Sequence, residues 1–554
     1  METLLDLLET SAARYATRNA LGLRRDDGST SHWTYAELLV RSRIAAWRLR
    51  ALGLEPGDRI LTWSPSTPAL PAAYFGAMRA GLIYVPLDAR MAPDTVTRIV
   101  ERSGARRLIL GSGRDAPDPR EVGLERFPTT IVEDLCADPD ASFPPDWEAQ
   151  LAGWPRPAST DVFELVFTSG TTGSPKGVML AHDNVLAGVD SFHRIINPME
   201  HRLVSLLPLS HLLEQAVSLF YALGVGADVL YVRSRNPRVI FSALAEHRVT
   251  TMLLVPQVVD LFWSAIEREV AKQGRTASFE RLRRIARHLP MPARRLLFRR
   301  VHAQLGGSLR LFATAGAFLP PALQQGWEDI GVIVLQGYGA TETAAGSCTT
   351  MDDHPLGCVG WPPSPVEMRI ADDGEIQFNG PTLFKGYWED RDATAAAFTP
   401  DGWYHSGDLG QLDERGRLHL HGRKKDIIVL PNGFNVFPED IENALRVAGI
   451  RDSVTVETRP GRIEAVVLAP ETHGVPGDPR ATPALEGAAP AEVRRAIEAA
   501  VKAANASLGP NQRIAGWRLW PEADFPRTHT FKVKRDRVRA WVAVDQALPV
   551  NAGE

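Results

Sequence analysis

A loop rich in glycine and hydroxyl side chains, "TSGTTGSPKG", runs from Thr168 to Gly177 after a strand-like apolar run. Hydroxyl donors, exposed backbone N–H groups and the cation of Lys176 together suit a polyphosphate. The loop is not the P-loop of nucleotide triphosphatases, G-x-x-x-x-G-K-[ST], because Gly177 stands where that motif has a magnesium-binding hydroxyl. Taken alone, the loop leaves an ordinary strand-to-helix turn open. The candidate phosphate-binding residues are Thr168, Ser169, Gly170, Thr171, Thr172, Gly173 and Lys176.

Further motifs follow this loop in a fixed order. They are "QGYGATETAAG" (336–346), "GWYHSGDLG" (402–410), "GRKKDIIVLPNGFNVFPEDIE" (422–442) and "FPRTHTFKVKR" (525–535). Shorter stretches accompany them: "WTYAEL" (33–38), "MRAGLIYVPLDA" (78–89), "LLPLSHLLEQ" (206–215) and "GEIQFNGPTLFKGYW" (374–388). In this order, and over nearly the whole chain, they resemble the adenylate-forming superfamily of acyl-CoA synthetases, nonribosomal-peptide adenylation domains and firefly luciferase.

The resemblance implies both a fold and a reaction. The α/β fold would have a large N-terminal domain of layered mixed and parallel sheets with helices (1–422), a hinge (423–427) and a small mobile α+β C-terminal domain (428–554). In the reaction, a carboxylate attacks the α-phosphate of ATP and expels pyrophosphate, and a thiol then captures the acyl-adenylate. Lys176 would be the cation for the leaving pyrophosphate. The implied cofactors and co-substrates are ATP, Mg²⁺ and CoA, and the implied class is an AMP-forming acid–thiol ligase.

The same resemblance assigns roles at the reacting phosphorus. Glu342 would hold Mg²⁺ and Thr341 would donate to the α-phosphate, because the five-coordinate phosphorus must share its charge with a cation and with donors. Lys532 would bridge the carboxylate and the α-phosphate as charge develops, which stabilises the transition state more than either ground state. The family commonly has glycine where Phe531 stands, so Lys534, two residues on and on the same face of a strand, remains open as a substitute.

The nucleotide would be held by two further groups of residues. Tyr338 would stack on adenine, and Gly316 and Ala317 of "ATAGAFLP" would form the opposite wall. Asp408 accepts hydrogen bonds and suits two ribose hydroxyls, while Arg423 would support ribose or phosphate. The remaining members of the nucleotide motif are Gln336, Gly337 and Gly339.

Lys425 falls at the family's hinge position. Because Lys532 must enter the site for adenylation and leave it before a thiol reaches the same carbonyl, one closed geometry cannot serve both steps. The segment around Gly433 and Phe434 would then line the approach of the thiol. A surface loop is the alternative interpretation of that segment.

The sequence predicts the reaction more closely than it predicts which carboxylic acid is the substrate. "PLSHLLEQ" resembles long-chain fatty-acid–CoA ligases more than amino-acid adenylation domains, so a medium- or long-chain fatty acid is the predicted substrate. His211 either borders the acyl site or has a structural role. Other interpretations stay open: a ligase that transfers its acyl-AMP to the phosphopantetheine of a carrier protein, an aryl-acid–CoA ligase, a luciferase-like oxygenase and a non-enzymatic adenylate-binding regulator. The basic stretch 266–306 predicts either a membrane-surface element or a solvated helical hairpin.

Alternating strands and helices must position these residues. Helical spacing of apolar residues predicts a helix over 35–53, and "RILTWSP" (59–65) and "RRLILG" (106–111) predict short buried strands. Repeated β-then-α units predict parallel sheets, and one such unit is "ELVFTSG" followed by the helix-like "AHDNVLAGVDSFHRII" (181–196). The turns "TSGTTGSPKG", "ATAGAFLP" and "QGYGATET" are then expected on a common rim beyond the carboxyl ends of the strands. A second domain is predicted to begin near Gly422. It contains strand candidates at 452–458 and 463–469, a Pro/Gly/Ala-rich surface loop at 470–490 and a helix at 491–508.

The bulk composition is that of a soluble globular chain with several structural units. The 554 residues are 44% hydrophobic and 23% charged, and the net charge of -4 gives no electrostatic case for nucleic acid. Cys136, Cys348 and Cys358 have no C-x-x-C spacing, which argues against a disulfide framework or a cysteine zinc site. No run reaches the ~18 apolar residues that span a bilayer. A cytoplasmic protein is expected, with peripheral membrane contact open, and the pattern predicts no oligomeric state.

Overall fold

Strands and helices alternate along the chain, as the hydrophobic spacing predicts. The computed structural model describes residues 1–113, 115–169, 175–234, 236–450, 452–468, 491–527 and 533–547. The strands are β1 (Asn19–Arg24), β2 (Thr30–Thr34), β3 (Arg59–Trp63), β4 (Ile83–Leu87), β5 (Arg107–Leu110), β6 (Thr129–Ile131), β7 (Val162–Ser169), β8 (Pro175–Ala181), β9 (Arg202–Ser205), β10 (Asp228–Val232), β11 (Thr251–Leu254), β12 (Leu311–Thr314), β13 (Ile333–Gly339), β14 (Gly346–Cys348), β15 (Glu367–Ile370), β16 (Glu375–Asn379), β17 (Tyr404–Leu412), β18 (Leu418–Arg423), β19 (Ile428–Val429), β20 (Asn435–Val436), β21 (Ser453–Arg459), β22 (Arg462–Val467) and β23 (Gly516–Leu519).

The α-helices are α1 (Leu4–Tyr15), α2 (Tyr35–Ala51), α3 (Ala69–Arg79), α4 (Pro93–Ser103), α5 (Val132–Leu135), α6 (Trp147–Ala152), α7 (His182–Phe192), α8 (Leu212–Glu214), α9 (Ala222–Gly224), α10 (Pro237–Glu246), α11 (Pro256–Lys272), α12 (Thr276–Ala286), α13 (Met291–Leu297), α14 (Arg299–Gln304), α15 (Pro321–Asp329), α16 (Arg391–Ala396), α17 (Pro438–Val447), α18 (Ala491–Ser507) and α19 (Arg535–Ala547). A π-helical segment, Gln215–Tyr221, joins α8 to α9. Within the described ranges, no helix is both long enough and apolar enough to cross a bilayer.

A six-stranded sheet runs in the order β6-β5-β3-β4-β7-β8, and its neighbouring strands are parallel except for β7 and β8. β3, β5 and α2 confirm the strands and the helix predicted there. One prediction is wrong: α7 does not follow β7 directly. The apolar residues Val178 and Leu180 are buried on an intervening strand, β8, which returns antiparallel to β7. β7 and β8 therefore form an antiparallel pair, and α7 begins only after β8.

An eight-stranded sheet runs in the order β14-β13-β12-β11-β9-β10-β1-β2, with antiparallel pairs only at its two edges. One apolar cluster joins the two sheets and contains Phe163 of β7, Tyr231 of β10, and Tyr74 and Phe75 of α3. Burying a large apolar side chain stabilises a fold by about 1.5–3 kcal/mol. The layered α/β class predicted from the sequence is confirmed.

The chain divides into two compact units. The first comprises Met1–Arg369, Gln377–Ser406 and Glu414–Leu418, and the second comprises Ile370–Ile376, Gly407–Asp413 and His419–Glu554. In the second unit, Ile441 of α17, Ala465 of β22 and Ile497 of α18 share a buried core. β21, β22 and α18 confirm the elements predicted there, whereas the loop predicted at 470–490 lies outside the described residues. The boundary at Gly422 and the hinge at 423–427 stay predictions.

Candidate active site

Lys176 lies near the start of β8, directly across the hairpin from Thr168 on β7. Ser169 pairs with Pro175 in the same ladder, so the two ends of the loop are fixed by backbone pairing. The other predicted phosphate-binding residues lie outside the described part of the chain: Gly170, Thr171, Thr172 and Gly173. The described part therefore places Thr168, Ser169 and Lys176 at the two ends of the loop.

A second backbone contact holds β8 in place. Val178 forms an antiparallel bridge with Tyr387, and the N–H of Trp388 donates to the carbonyl of Gly177 at 2.7 Å. These contacts bring the Tyr387 ring to Lys176, whose Nζ lies 4.8 Å from the ring centroid. A cation over an aromatic face is attracted by about 0.5–2 kcal/mol, depending on how far it is desolvated. The ring therefore helps to fix the ammonium group.

Tyr387 also contacts Glu342. Its hydroxyl donates to Oε1 of Glu342 at 3.0 Å, and the N–H of Phe384 donates to the backbone carbonyl of Glu342 at 2.8 Å. Burial raises the pKa of Tyr387 and the Glu342 carboxylate raises it further, so the phenol stays protonated and acts as the donor. Sequence reasoning missed Tyr387. Its signal was its place in "GEIQFNGPTLFKGYW", to which no residue role was attached.

A tight hairpin turn carries both residues predicted at the reacting phosphorus. Thr341–Thr343 forms one turn of 3₁₀ helix between β13 and β14. Ala344 follows with φ of 48°, a conformation that costs a non-glycine residue about 1–3 kcal/mol. A Cβ on Gly346 would lie 2.0 Å from the carbonyl oxygen of Tyr338, so only glycine fits opposite β13. Backbone packing thus fixes the turn that carries Glu342.

Gln336, Gly337, Tyr338 and Gly339 lie on β13 itself and not in a turn after it. The predicted turn "QGYGATET" is shorter than expected because β14 pairs antiparallel with Gly337–Gly339 and extends the strand. The ring of Tyr338 is half-buried and packs on Phe378, with 5.9 Å between centroids and 38° between planes.

Gly316 and Ala317 follow β12, the parallel neighbour of β13, where Thr314 pairs with Gln336. Gly316 is exposed with φ of 85°, which glycine adopts without strain. Because the carboxyl ends of parallel strands meet at one edge of a sheet, these residues lie at the same edge as Tyr338. Gln336 is buried, and its side-chain Oε1 has no hydrogen-bond partner among the described residues.

The second unit holds the two predicted ribose contacts. Arg423 Nε at the end of β18 lies 3.4 Å from Oδ1 of Asp408 on β17. The Asp408 side chain is 21% exposed and that of Arg423 is 47% exposed, so both remain reachable by a polar ligand. The structure brings this pair together within one unit.

The predicted hinge and thiol-approach residues lie on turns. Lys425 is exposed in the 3₁₀ turn Lys424–Asp426, which Arg539 anchors through a 2.9 Å ion pair to Asp426. Gly433 has φ of 79° in the turn between β19 and β20. Phe434 beside it is 43% exposed, which is unusual for a large aromatic side chain.

Lys532, the predicted catalyst, lies outside the described residues. An antiparallel bridge joins Arg527 to Val533 on either side of its segment. Beyond it, Arg535 at the start of α19 makes a bidentate pair with Glu442, each hydrogen bond 2.5 Å long. The alternative Lys534 is described, and its N–H donates to the carbonyl of Pro526 at 2.7 Å.

His211 lies in a polar cluster around Asp88. Its Nε2 is 3.5 Å from Oδ2 of Asp88, and Arg90 donates to both carboxylate oxygens. Burial alone would raise the pKa of Asp88, but the hydrogen bonds from His211 and Arg90 hold it well below its usual range. The geometry gives His211 a structural partner, and its contact with an acyl chain stays a prediction.

The end of "LLPLSHLLEQ" forms buried hydrogen bonds that sequence reasoning also missed. Gln215 Nε2 donates to Oε1 of Glu164 at 2.7 Å, and the Tyr74 hydroxyl donates to Oε2 at 2.8 Å. The Ser205 hydroxyl donates to Glu214 at 2.5 Å. Burial raises the pKa of Glu164 to about 8 and that of Glu214 to about 7. These carboxyls therefore bind protons near neutral pH.

Among the described residues, no three His, Cys, Asp or Glu side chains cluster closely enough to hold a metal ion by themselves. Mg²⁺ in nucleotide sites is commonly bound by one or two carboxylates together with phosphates and waters. The single oriented carboxylate of Glu342 fits that mode of binding.

Comparison with known proteins places this chain in a family. The AMP-binding enzyme family matches residues 8–388. A long-chain-fatty-acid–CoA ligase of Mycobacterium bovis is 30% identical over 568 aligned residues, which cover 94% of this chain and 92% of that protein. A feruloyl-CoA synthase of an Amycolatopsis species is 30% identical over 426 residues, covering 74% of this chain and 77% of that protein.

Solved structures have the same fold. ATP-bound MatB from Rhodopseudomonas palustris gives a TM-score of 0.74 at 22% identity, with 97% of this chain and 98% of that chain covered. The anthranilate CoA ligase AuaEII in complex with anthranoyl-AMP gives 0.76 at 18% identity, with 99% and 98% covered. The family match spans more than half of the chain, and this chain therefore belongs to the AMP-binding enzyme family.

Proposed function

We propose that the protein is an AMP-forming acid–thiol ligase that converts a medium- or long-chain fatty acid to its CoA thioester. In the first step, a carboxylate oxygen bonds to the α-phosphorus of ATP and the bond to pyrophosphate breaks. In the second step, the CoA sulfur bonds to the acyl carbon, AMP leaves, and the thiol proton is lost. The observation that carries the proposal is the shared contact of Lys176 and Glu342 with Tyr387. That contact fixes a cation and a carboxylate beside the loop that the sequence assigns to phosphates.

The first unit would bind the triphosphate. Lys176 would hold the β- and γ-phosphates, which leave together, and Thr341 would donate to the α-phosphate. Glu342, oriented by Tyr387, would ligate Mg²⁺. When bound, this ion would neutralise charge on the phosphate oxygens. Tyr338 would stack on the adenine.

The second unit would supply the remaining contacts and the change between steps. Asp408 and Arg423 would hold the ribose. Lys532 would bridge the attacking carboxylate and the α-phosphate during adenylation, then withdraw so that the CoA sulfur can approach past Gly433. Rotation at Lys425 would exchange the two arrangements.

The class of acid substrate is inferred from the names of the relatives. A relative named as a long-chain-fatty-acid–CoA ligase, aligned over 94% of this chain, supports a fatty acid. The feruloyl-CoA synthase, also 30% identical, favours an aryl acid as the second candidate.

The test is a substrate screen with purified protein, ATP and Mg²⁺. Straight-chain acids of increasing length and ferulate are each supplied with and without CoA, and pyrophosphate and thioester are measured. We expect pyrophosphate release that depends on a fatty acid and full conversion to acyl-CoA. Acyl-AMP without acyl-CoA would point to a carrier-protein acceptor, and release with ferulate alone would point to the aryl candidate. No release with any acid, or equal release from Lys176→Met and Glu342→Gln, would contradict the proposal.

A further inference from the structure

Helices α1, α2 and α6 of the first unit line a groove whose residues belong to no part of the candidate active site. α2 contributes Ala36, Leu39, Val40 and Arg43, whose i, i+3, i+4 and i+7 spacing places them on one face of the helix. α1 and α6 each contribute three residues with the same i, i+3 and i+4 spacing. The groove has a volume of about 620 Å³, within the roughly 300–1,000 Å³ of small-molecule pockets. Seven of its twelve lining residues are Ala, Val or Leu, so the groove can bury an apolar group.

Arg43 is a half-buried cation of this groove. The other three arginines of α2, Arg41, Arg48 and Arg50, each donate to a backbone carbonyl. The guanidinium of Arg43 has no hydrogen bond or ion pair to any described residue. A charged group that is taken partly out of water without a partner costs free energy. An anionic ligand with hydrogen-bond acceptors would offset that cost.

A second cation of the groove, Arg79 of α3, is 8% exposed. It donates to three backbone carbonyls at the end of α6 and just after it, and it pairs with no acidic residue of the described chain. Burial lowers the pKa of Arg79, and the charges of Arg156 and Arg43 lower it further. Arg156 already pairs with Glu9 at 3.0 Å. An anion beside Arg43 would therefore also reduce the repulsion between Arg43 and Arg79.

The charges and the apolar wall of the groove together select the ligand. A neutral apolar molecule would leave Arg43 without an acceptor. A phosphate dianion would leave the apolar wall unused, and the exposed carboxylate of Glu148 in the groove would repel it more strongly than it repels a monoanion. A carboxylate can accept two parallel hydrogen bonds from a guanidinium, and an aliphatic body attached to it would cover Leu39 and Val40, of which Val40 is 44% exposed.

We propose that the groove between α1, α2 and α6 is a second binding site, specific for a small amphipathic carboxylate. The carboxylate pairs with Arg43, and the aliphatic body packs on Leu39 and Val40. Binding there needs neither ATP nor CoA and uses none of the residues proposed for catalysis. The groove site therefore does not rest on the proposed function, and each can be refuted without the other.

The test is calorimetric titration of the full chain with sodium octanoate, without ATP or CoA. Acetate lacks the aliphatic body and octan-1-ol lacks the charge, and we expect each to bind at least about ten-fold more weakly than octanoate. Arg43→Gln should weaken octanoate binding about ten-fold or more, because hydrogen bonds to charged groups contribute roughly 10- to 100-fold. Glu148→Gln should strengthen binding about two-fold, because it removes an exposed repelling charge.

Ala13→Trp fills the groove from α1 and should abolish this binding. Arg126→Gln and Ala496→Trp make the same changes at exposed positions outside the groove, so they are the matched controls and should bind octanoate as the wild type does. Thermal melts check that each variant is folded.

Octanoate binding that is unchanged in both Arg43→Gln and Ala13→Trp overturns the proposal. Equal affinity for octan-1-ol, or equal loss of binding in the matched controls, also overturns it. A protein that binds octanoate in the groove but releases no pyrophosphate with any acid would support this site and refute the proposed function instead.

Discussion

Tyr387→Phe removes the hydroxyl that donates to Glu342 in the candidate site, and with it a hydrogen bond to the buried Tyr404. The ring stays beneath Lys176, and the backbone bridge to Val178 is unaffected because it uses no side-chain atoms. The bond lost to Glu342 is a 3.0 Å donation to a carboxylate. Hydrogen bonds to charged groups contribute about 1.5–3 kcal/mol, which corresponds to a loss of about 10- to 100-fold. We expect this loss in kcat/KM for ATP and, because Glu342 is the proposed Mg²⁺ ligand, a higher Mg²⁺ concentration at half-maximal rate.

The assay is pyrophosphate release over a Mg²⁺ titration, with calorimetric binding of ATP as a readout that needs no turnover. Tyr35→Phe is the matched control, because it deletes the hydroxyl of another buried tyrosine, which donates to the Ala227 carbonyl at 2.7 Å. The control should lower the melting temperature and leave the Mg²⁺ titration unchanged. A Tyr387→Phe enzyme with wild-type Mg²⁺ and ATP dependence would refute the reasoning that this phenol positions Glu342.

Three further predictions concern other parts of the molecule. Lys532→Ala should slow acyl-AMP formation by about 100-fold or more and largely spare CoA transfer from supplied acyl-AMP, and equal loss of both steps would contradict its role. Lys425→Pro should keep adenylation and slow CoA transfer at least about ten-fold, since a fixed φ stiffens the turn; the reverse pattern in single-turnover assays would count against a hinge. Burial raises the pKa of Glu164 from 4.5 to about 8, so its stabilising effect is fully present below 4.5 and is lost as pH rises toward 8. Melting curves should therefore show that the free energy of unfolding of Glu164→Gln rises relative to that of the wild type, by up to about 1.4 kcal/mol per pH unit across that window. Parallel pH dependences of the two proteins would refute the burial argument.

The spacing of apolar residues predicted helices and strands well where that spacing is regular. The helix predicted over 35–53 has a continuous apolar face, and the strands predicted at 59–65 and 106–111 have an apolar core. For these segments, the burial of the apolar residues decides whether a helix or a strand forms. β8 was missed for a physical reason. Its apolar residues follow a loop whose glycines, hydroxyls and lysine were interpreted as leading to a helix, and only pairing with β7 shows that they form a strand.

The positioning residues could not be predicted because their contacts are distant in sequence. Tyr387 and Glu342 are 45 residues apart, and Tyr74 is 90 residues from Glu164. The spacing of residues along the chain does not reveal such pairs, because each partner would also suit other environments. The same is true of His211. The motif "LLPLSHLLEQ" identified it as a candidate residue, but its position next to Asp88 follows from packing.

The contacts of Tyr387 also bear on how two reactions could share one site. Lys176, Tyr387 and Glu342 all belong to the first unit, and backbone pairing joins the strand of Lys176 to the segment of Tyr387. Moving the strand of Lys176 away from the segment of Tyr387 would break that pairing, so packing keeps these two backbone segments at one separation. The difference must come from residues outside this group. Lys532 and Lys425 both fall within the chain from residue 419 onward, which is where the proposed exchange of geometry would have to occur.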